Sequence, residues 1–335
     1  MKLDVAFMSS WLGELPALAR AAEQIGFDAL WTSETQHDPF LPLTLAAEHT
    51  ERVRLGTAVA IGFARSPMTL AHTAWDLAQQ SRGRFILGLG TQVKPHIERR
   101  FGMSWPESPV NKLREMVQAL RAIWASWQTG EKLNFRGEYF KLTLMTPFFN
   151  PGPIEHPHIP IYIAGVNTGL ARLCGEVCDG FHAHPFHTAA YLREVMKPAI
   201  EAGAASVANA GRPNPIHLSA SVFVITSPVE REYARQQVSF YASTPSYRPV
   251  LEHHGWAEIG EQLSGLAARG EWAQMPKLVS DEMLSAFAVE APLAELAEPL
   301  RARYAGVLER VTLYRPFTPN TEDAAWRKLA IDLQS

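Results

Sequence analysis

Short apolar runs alternate with helical periods along almost the whole chain, and this alternation constrains the fold more than any other feature. The runs LDVAFM (3–8), ALWTS (29–33), VRLGTAVAI (53–61), RFILGL (84–89), PIYIA (160–164), DGFHAH (179–184), IHLSASVFVIT (216–226) and RVTLY (310–314) read as strands. Helical periods fall over 14–25, 42–51, 68–81, 110–127, 168–178, 188–204, 228–241, 291–304 and 322–333. Near-continuous apolar runs fit strands buried on both faces, as in parallel sheets. Strands that alternate with helices argue for βαβ units. Eight such units in 335 residues predict an α/β fold, a (β/α)8 TIM barrel, as one domain over 1–335. Two stretches break the rhythm, about 104–160 after strand 4 and 242–288 after strand 7, and read as insertions. A doubly wound open sheet would carry a glycine fingerprint after its first strand. Here that strand runs into MSSWLGELP, which has none.

Composition narrows the function. With 47% hydrophobic and 19% charged residues the chain can bury a large core and is not a disordered type. A net charge of −3 argues against a nucleic-acid partner. No apolar run reaches the 18 residues that would span a bilayer, so no membrane partner is expected. The start, MKLDVAFMSSW, places Asp4 inside what would be the apolar core of an export signal, so a cytoplasmic protein is expected. Cys174 and Cys178 cannot form a disulfide framework and read as small apolar residues on one helix.

In a barrel the active-site residues lie at the C-terminal strand ends. That rule selects Met8 and Trp11 after strand 1, and Glu34, Gln36, His37 and Asp38 after strand 2. It selects Ala58, Val59 and Arg65 after strand 3, and Gly88, Gly90, Thr91, Gln92 and Lys94 after strand 4. After strand 5 it selects AGVNTG, residues Ala164, Gly165, Val166, Asn167, Thr168 and Gly169. At strand 6 it selects His182, His184 and His187, and after strand 8 Tyr314 and Arg315. The glycines at two adjacent strand ends permit close approach of a ligand, and Thr168 is a plausible helix N-cap at an anion-binding helix start. Ordinary turn glycine is the plainer alternative. Glu34 and His37 crowd one loop, and a carboxylate beside an imidazole is the minimum kit for proton transfer near neutral pH. The run His182-x-His184-x-x-His187 invites a metal reading, but no further ligands stand at suitable spacing, so no metal is expected. His182 and His184 then line a pocket or are core histidines.

These residues carry a resemblance. GFDALWTSE, RVRLGTAVA with SPMTLAHTAWDLAQQSRGRFILGLGTQ, and PIYIAGVNTGLARLCGEVCDGF follow in the order seen in the bacterial-luciferase-like flavin and deazaflavin oxidoreductases. ETQHDPFLPL and GTQVKPHIERRFG most resemble the actinobacterial subgroup thought to use coenzyme F420. The resemblance implies the same barrel, a flavin-type ring at its C-terminal mouth, and a non-proline cis peptide at Ala58–Val59. It implies Glu34 and His37 as catalytic residues, although Thr35 stands where many members have the histidine. It implies Ala58, Val59, Gly90, Thr91, Gln92 and 164–169 as cofactor-binding residues, with Trp11, His182 and His184 at the substrate. The leading expectation is F420-dependent hydride transfer to or from a small molecule, by a homodimer. One alternative is an FMN-dependent monooxygenase served by a separate flavin reductase. Others are a metal-dependent barrel hydrolase or a non-catalytic cofactor-binding protein.

Overall fold

Eight parallel strands pair in a closed ring: β1 (Lys2–Phe7), β2 (Ala29–Thr32), β3 (Arg54–Thr57), β4 (Phe85–Gly90), β5 (Ile161–Gly165), β6 (Gly180–Ala183), β7 (His217–Ile225) and β8 (Arg310–Leu313). Each strand pairs with the next in sequence, and β8 returns to β1 through Lys2–Arg310, Leu3–Val311 and Asp4–Thr312. The computed structural model describes residues 1–7, 11–207 and 215–334. The expected (β/α)8 barrel is therefore the observed fold. Met8, expected at the end of strand 1, lies outside the described residues.

Helices α1 (Leu15–Ile25), α2 (Leu41–His49), α3 (Pro67–Gln80), α4 (Pro109–Thr129), α5 (Thr168–Val177), α6 (Lys197–Ser206), α7 (Pro228–Ala242), α8 (Ala297–Tyr304) and α9 (Asp323–Gln334) accompany the strands. Three of them start with the same device. Ser66, Ser108 and Ser227 each accept a first-turn backbone N–H, and each is followed by a proline. The hydroxyl satisfies a donor that the helix cannot, and proline at the first helical position has no N–H to leave unpaired. Cys174 lies within α5 and Cys178 caps its C-terminal end, and both are buried.

Strand alternation sorts the side chains into two cores. Leu3, Val5, Phe7, Leu30, Leu55, Leu87, Ile163, Phe181 and Val311 face the helices in the large outer core. Ala29, Trp31, Ile86 and Tyr162 face inward and fill the barrel, with Ala6 and Ala58 against them. Asp4 and Arg310 are also inside, and both are almost fully buried. Arg310 donates Nε to Asp4 Oδ2 at 2.8 Å and Nη2 to Asp4 Oδ1 at 2.7 Å. The Trp31 indole donates to the same carboxylate at 2.9 Å. Burial pushes the Asp4 carboxyl up to about 6 against the pull of Arg310, which leaves it ionised at neutral pH.

The run 53–61 breaks at a cis Ala58–Val59 peptide, as the resemblance implies, and Ala60–Ile61 then pairs with Leu89 and Gly90. Three features depart from the sequence expectation. The stretch 104–160 contains α4, an ordinary barrel helix, so only the part after it is added structure. There a small hairpin, Phe135–Arg136 with Lys141–Leu142, is held by the buried Glu115, which accepts the backbone N–H groups of Glu138, Tyr139 and Phe140. In the second insertion Ala288–Glu290 forms an extra parallel strand on Phe223–Ile225. The helix expected over 188–204 is interrupted by a π turn at Leu192–Met196.

The interior pair generates a prediction. Arg310→Met leaves Asp4 buried without its counter-charge, which typically costs about 3–5 kcal/mol. Urea unfolding should show that loss for the single variant. The double variant Asp4→Leu with Arg310→Met should recover much of it, because both charges are then gone.

Candidate active site

Inward side chains stack in layers contributed by alternate strands, as expected of such barrels. Trp31, Gly88, His182 and Thr312 share one layer and are all buried. One step toward the C-terminal ends come Ala6, Ala58, Ala164 and Ser221, paired through Ala6–Trp31, Ala164–His182 and Ser221–Thr312. These four are small and partly exposed although they lie inside the barrel. The large residues therefore make a floor, and the mouth is open down to the small ones.

The rim is uneven. On the side of β2 to β5 it carries Ser33, Val59, Gly90 and Gly165. The cis peptide turns Val59 toward β4 so closely that a Cβ on Gly90 would lie 2.6 Å from Val59 Cγ2. Ser33 Oγ donates to the Ala58 carbonyl at 2.8 Å, and the Ala58 N–H donates to Thr32 O at 2.7 Å. On the side of β6 to β8 the rim is a wall of rings. His184 packs at a tilt against Tyr247 with centroids 4.5 Å apart and meets Tyr241 edge-on. Tyr241 and Tyr314 share a hydroxyl hydrogen bond of 2.9 Å, and Tyr314 packs on Phe223. Burial pushes all three phenols up and lowers His184 to about 3, so this wall is uncharged at neutral pH. The neighbouring Arg315 is taken up by Glu230 and Glu322.

The residues 164–169 run from the mouth to the start of α5. The N-cap there is Asn167 rather than the expected Thr168, which is the first helical residue. Asn167 and Thr168 border an open pocket of ≈ 420 Å³ with Tyr191, Val195, Pro249 and His253. Val110, at the start of α4, lies beside Gly169. Two helix N-termini thus converge next to the mouth, and partial positive charge gathers there. Thr91 and Gln92 follow Gly90, with Gln92 at φ 59° and its side chain accepting from the Val93 N–H.

These features have counterparts elsewhere. The model of the luciferase-like monooxygenase family matches residues 8–310. The chain belongs to the luciferase-like monooxygenase family. An uncharacterised protein of Mycobacterium tuberculosis is 48% identical over 313 residues, which cover 89% of this chain and 91% of that one. The 5,10-methylenetetrahydromethanopterin reductase of Archaeoglobus fulgidus is 27% identical, over 96% and 95% of the two chains. The coenzyme F420 dependent tetrahydromethanopterin reductase from Methanopyrus kandleri superposes with a TM-score of 0.78 at 20% identity, covering 99% and 98%. The oxygenating constituent of 3,6-diketocamphane monooxygenase from Pseudomonas putida, solved in complex with FMN, superposes with a TM-score of 0.65 at 17% identity, covering 99% and 96%. This luciferase-like chain is thus an oxidoreductase by family.

The luciferase-like barrel brings some of the expected residues together and separates others. Ala58, Val59, Gly90 and 164–169 lie around one half of the mouth. The expected pairing of Glu34 with His37 is not made. Glu34 instead accepts from Arg65 Nη1 at 2.6 Å and from the Ile61 N–H at 2.7 Å, and it is nearly buried. A guanidinium outcompetes an imidazole for a carboxylate because it stays charged and donates from several N–H groups. His37 is exposed on the loop beyond. That loop is tied from the far side by Arg100, which donates to the Thr35 carbonyl at 2.5 Å. Trp11 is 66% exposed, at the rim after β1. His182 is in the floor rather than on a wall. Among the described residues no three His, Cys, Asp or Glu side chains converge as a metal would need. His184 Nδ1 accepts the Phe186 N–H and His187 Nδ1 sits 2.8 Å from the His184 carbonyl, so the histidine run points its nitrogens apart. The Tyr241–Tyr247–Tyr314 wall escaped sequence reasoning, except that Tyr314 was marked as a strand end. Tyr241 and Tyr247 lie on α7 and in an irregular insertion, where no periodicity points at the mouth.

Burial holds His187 neutral, with its pKa lowered to about 4. The unfolded chain binds a proton there below pH 6.5 and the folded one does not, so this residue contributes stability above pH 6.5 that is lost as the pH falls toward 4. His187→Gln keeps the hydrogen bonds and does not titrate. Between pH 7 and pH 5 its unfolding free energy should fall by about 2 kcal/mol less than that of the parent, as 1.5 pH units at 1.36 kcal/mol each imply. Parallel curves in urea titrations would show that His187 does not carry this pH dependence.

Proposed function

We propose that the protein is an F420-dependent oxidoreductase that moves a hydride between the deazaflavin and an uncharged organic substrate. The observation that carries this reading is the slot of small residues along β2 to β5, facing a neutral aromatic wall. Ala58 and Ala164, small and partly exposed, leave room for a flat ring, and Val59, seated against Gly90, would back it with a fixed apolar face. Thr91, Gln92 and 166–169 would hold the polar tail, where the α4 and α5 N-termini favour an anion. The similarity to the F420-dependent glucose-6-phosphate dehydrogenase of Nakamurella multipartita, 30% identical over 69% of this chain, supports the deazaflavin over other rings. When bound, the cofactor accepts or supplies the hydride.

The protein's own residues orient and exclude. Arg65 and Glu34 lock the end of β3, and so fix the surface against which the ring lies. His184, Tyr241, Tyr247 and Tyr314 present rings and hydroxyls but no charge, which suits an apolar substrate bearing a hydroxyl or carbonyl. Trp11 extends that wall at the rim. His37, on the loop after β2, moves the proton that accompanies the hydride, and stays solvent-accessible so that it can re-equilibrate.

Titration of the purified chain with coenzyme F420 and with FMN tests the reading, and F420 should bind more tightly. Tighter FMN binding, with oxygen consumed when a flavin reductase is added, would replace it by the monooxygenase alternative. His37→Ala should lower turnover about 100-fold, in the range of a lost general acid–base, while cofactor affinity changes little. Unchanged turnover would remove His37 from the mechanism.

A further inference from the structure

Among the described residues, His182 is the side chain of the barrel floor whose hydrogen bonding is left half complete. It is 7% exposed, and its Nδ1 lies 2.9 Å from Ser219 Oγ on the next strand. Its Nε2 is buried and has no partner. The rings of Trp31 and Tyr162 hold the imidazole in place, with centroids 4.8 and 5.1 Å away. They offer it no acceptor or donor on the Nε2 side. That side faces Gly88, where an added Cβ would come within 3.2 Å of Nε2. Directly above lie Ala6, Ala58, Ala164 and Ser221, the small and partly exposed layer of the mouth. Buried polar atoms in folded proteins are nearly always paired, so an orphan under an open mouth marks a place where a ligand completes the pairing.

We propose that His182 contacts the planar cofactor directly, its Nε2 hydrogen-bonding the polar edge of the ring, with Ser219 holding its Nδ1 in place. This rests on the cofactor reading above and adds to it a residue beneath the ring. Flavins and deazaflavins share a pyrimidinedione edge with carbonyl acceptors and an N–H donor. That edge satisfies Nε2 in either tautomer, and the Ser219 hydroxyl can rotate to match. Burial keeps the imidazole neutral, with its pKa near 3, so the contact is a neutral hydrogen bond and not an ion pair. The floor then selects a ring with a polar edge, and a purely apolar ring would leave Nε2 unpaired.

The test is a titration of the full chain with coenzyme F420, and in parallel with FMN, followed by fluorescence and by the absorption spectrum of the bound ring. His182→Leu should weaken binding of the preferred cofactor ~10-fold, as loss of one buried hydrogen bond implies, and should abolish the shift of its absorption band. His182→Gln keeps a donor and an acceptor at that reach and should restore affinity to within ~3-fold. Ser219→Ala removes only the partner and should weaken binding by ~3-fold, with a smaller spectral shift. A folded His182→Leu protein with parental affinity and spectrum would overturn the proposal while leaving the cofactor reading intact. Should that variant fail to fold, Ser219→Ala decides, and parental behaviour there overturns it. A parent chain that binds neither cofactor would overturn the cofactor reading and this one with it.

Discussion

Closure of the barrel brings the first and last strands together around a buried ion pair, and the rest of the site is built above it. Asp4 on β1 takes two hydrogen bonds from Arg310 on β8 and one from Trp31 on β2. Strands from the two ends of the chain are thereby tied together through side chains that are almost fully buried. Two charges in such a place are expensive to desolvate and gain it back only with good geometry. The bidentate fork supplies that geometry, and Asp28 takes a further guanidinium bond at the open lower end. The cluster also helps fill the lower barrel.

What lies above follows from side-chain size. Trp31, Ile86, Tyr162 and Arg310 pack the lower layers, and Ala6, Ala58, Ala164 and Ser221 leave the next one nearly empty. A barrel of this width is otherwise filled by its own side chains. The change from large to small along the strands is therefore what makes a mouth at all. The asymmetry of the rim then gives it two faces. Ala58, Val59, Ala164 and Gly165 are partly exposed on the side of β3 to β5, while the rings of His184, Tyr241, Tyr247, Phe223 and Tyr314 stand opposite. A flat ring on one side and a neutral substrate on the other is the arrangement we propose for those faces.

Glu34 shows how a strand-end residue can be given the wrong neighbour. Its position at a strand end was readable, and so was the presence of His37 three residues on. Arg65, in the segment after β3, is the residue that meets it. In sequence the two are 31 apart, and only the pairing of β2 with β3 brings their ends together. The carboxylate therefore serves to hold the segment after β3.

The strand and helix periods were legible because burial on both faces writes apolar runs and burial on one face writes a 3.6-residue stripe. From them came the eight-unit order, the barrel, and the strand-end positions of Ala58, Val59, Gly90 and 164–169. The Ser-Pro helix starts at Ser66, Ser108 and Ser227 are local signals of the same kind. The break in 53–61 came from a family resemblance, since small buried residues there look like any strand. The sequence could not assign partners: that Asp4 meets Arg310, that Glu34 meets Arg65 rather than His37, that His182 lies in a floor with one nitrogen unpaired, and that Tyr241 and Tyr247 fold back onto Tyr314. Each of these is decided by strand register and by how an insertion packs. Neither is encoded in local periodicity, because both depend on which surfaces meet once the ring has closed.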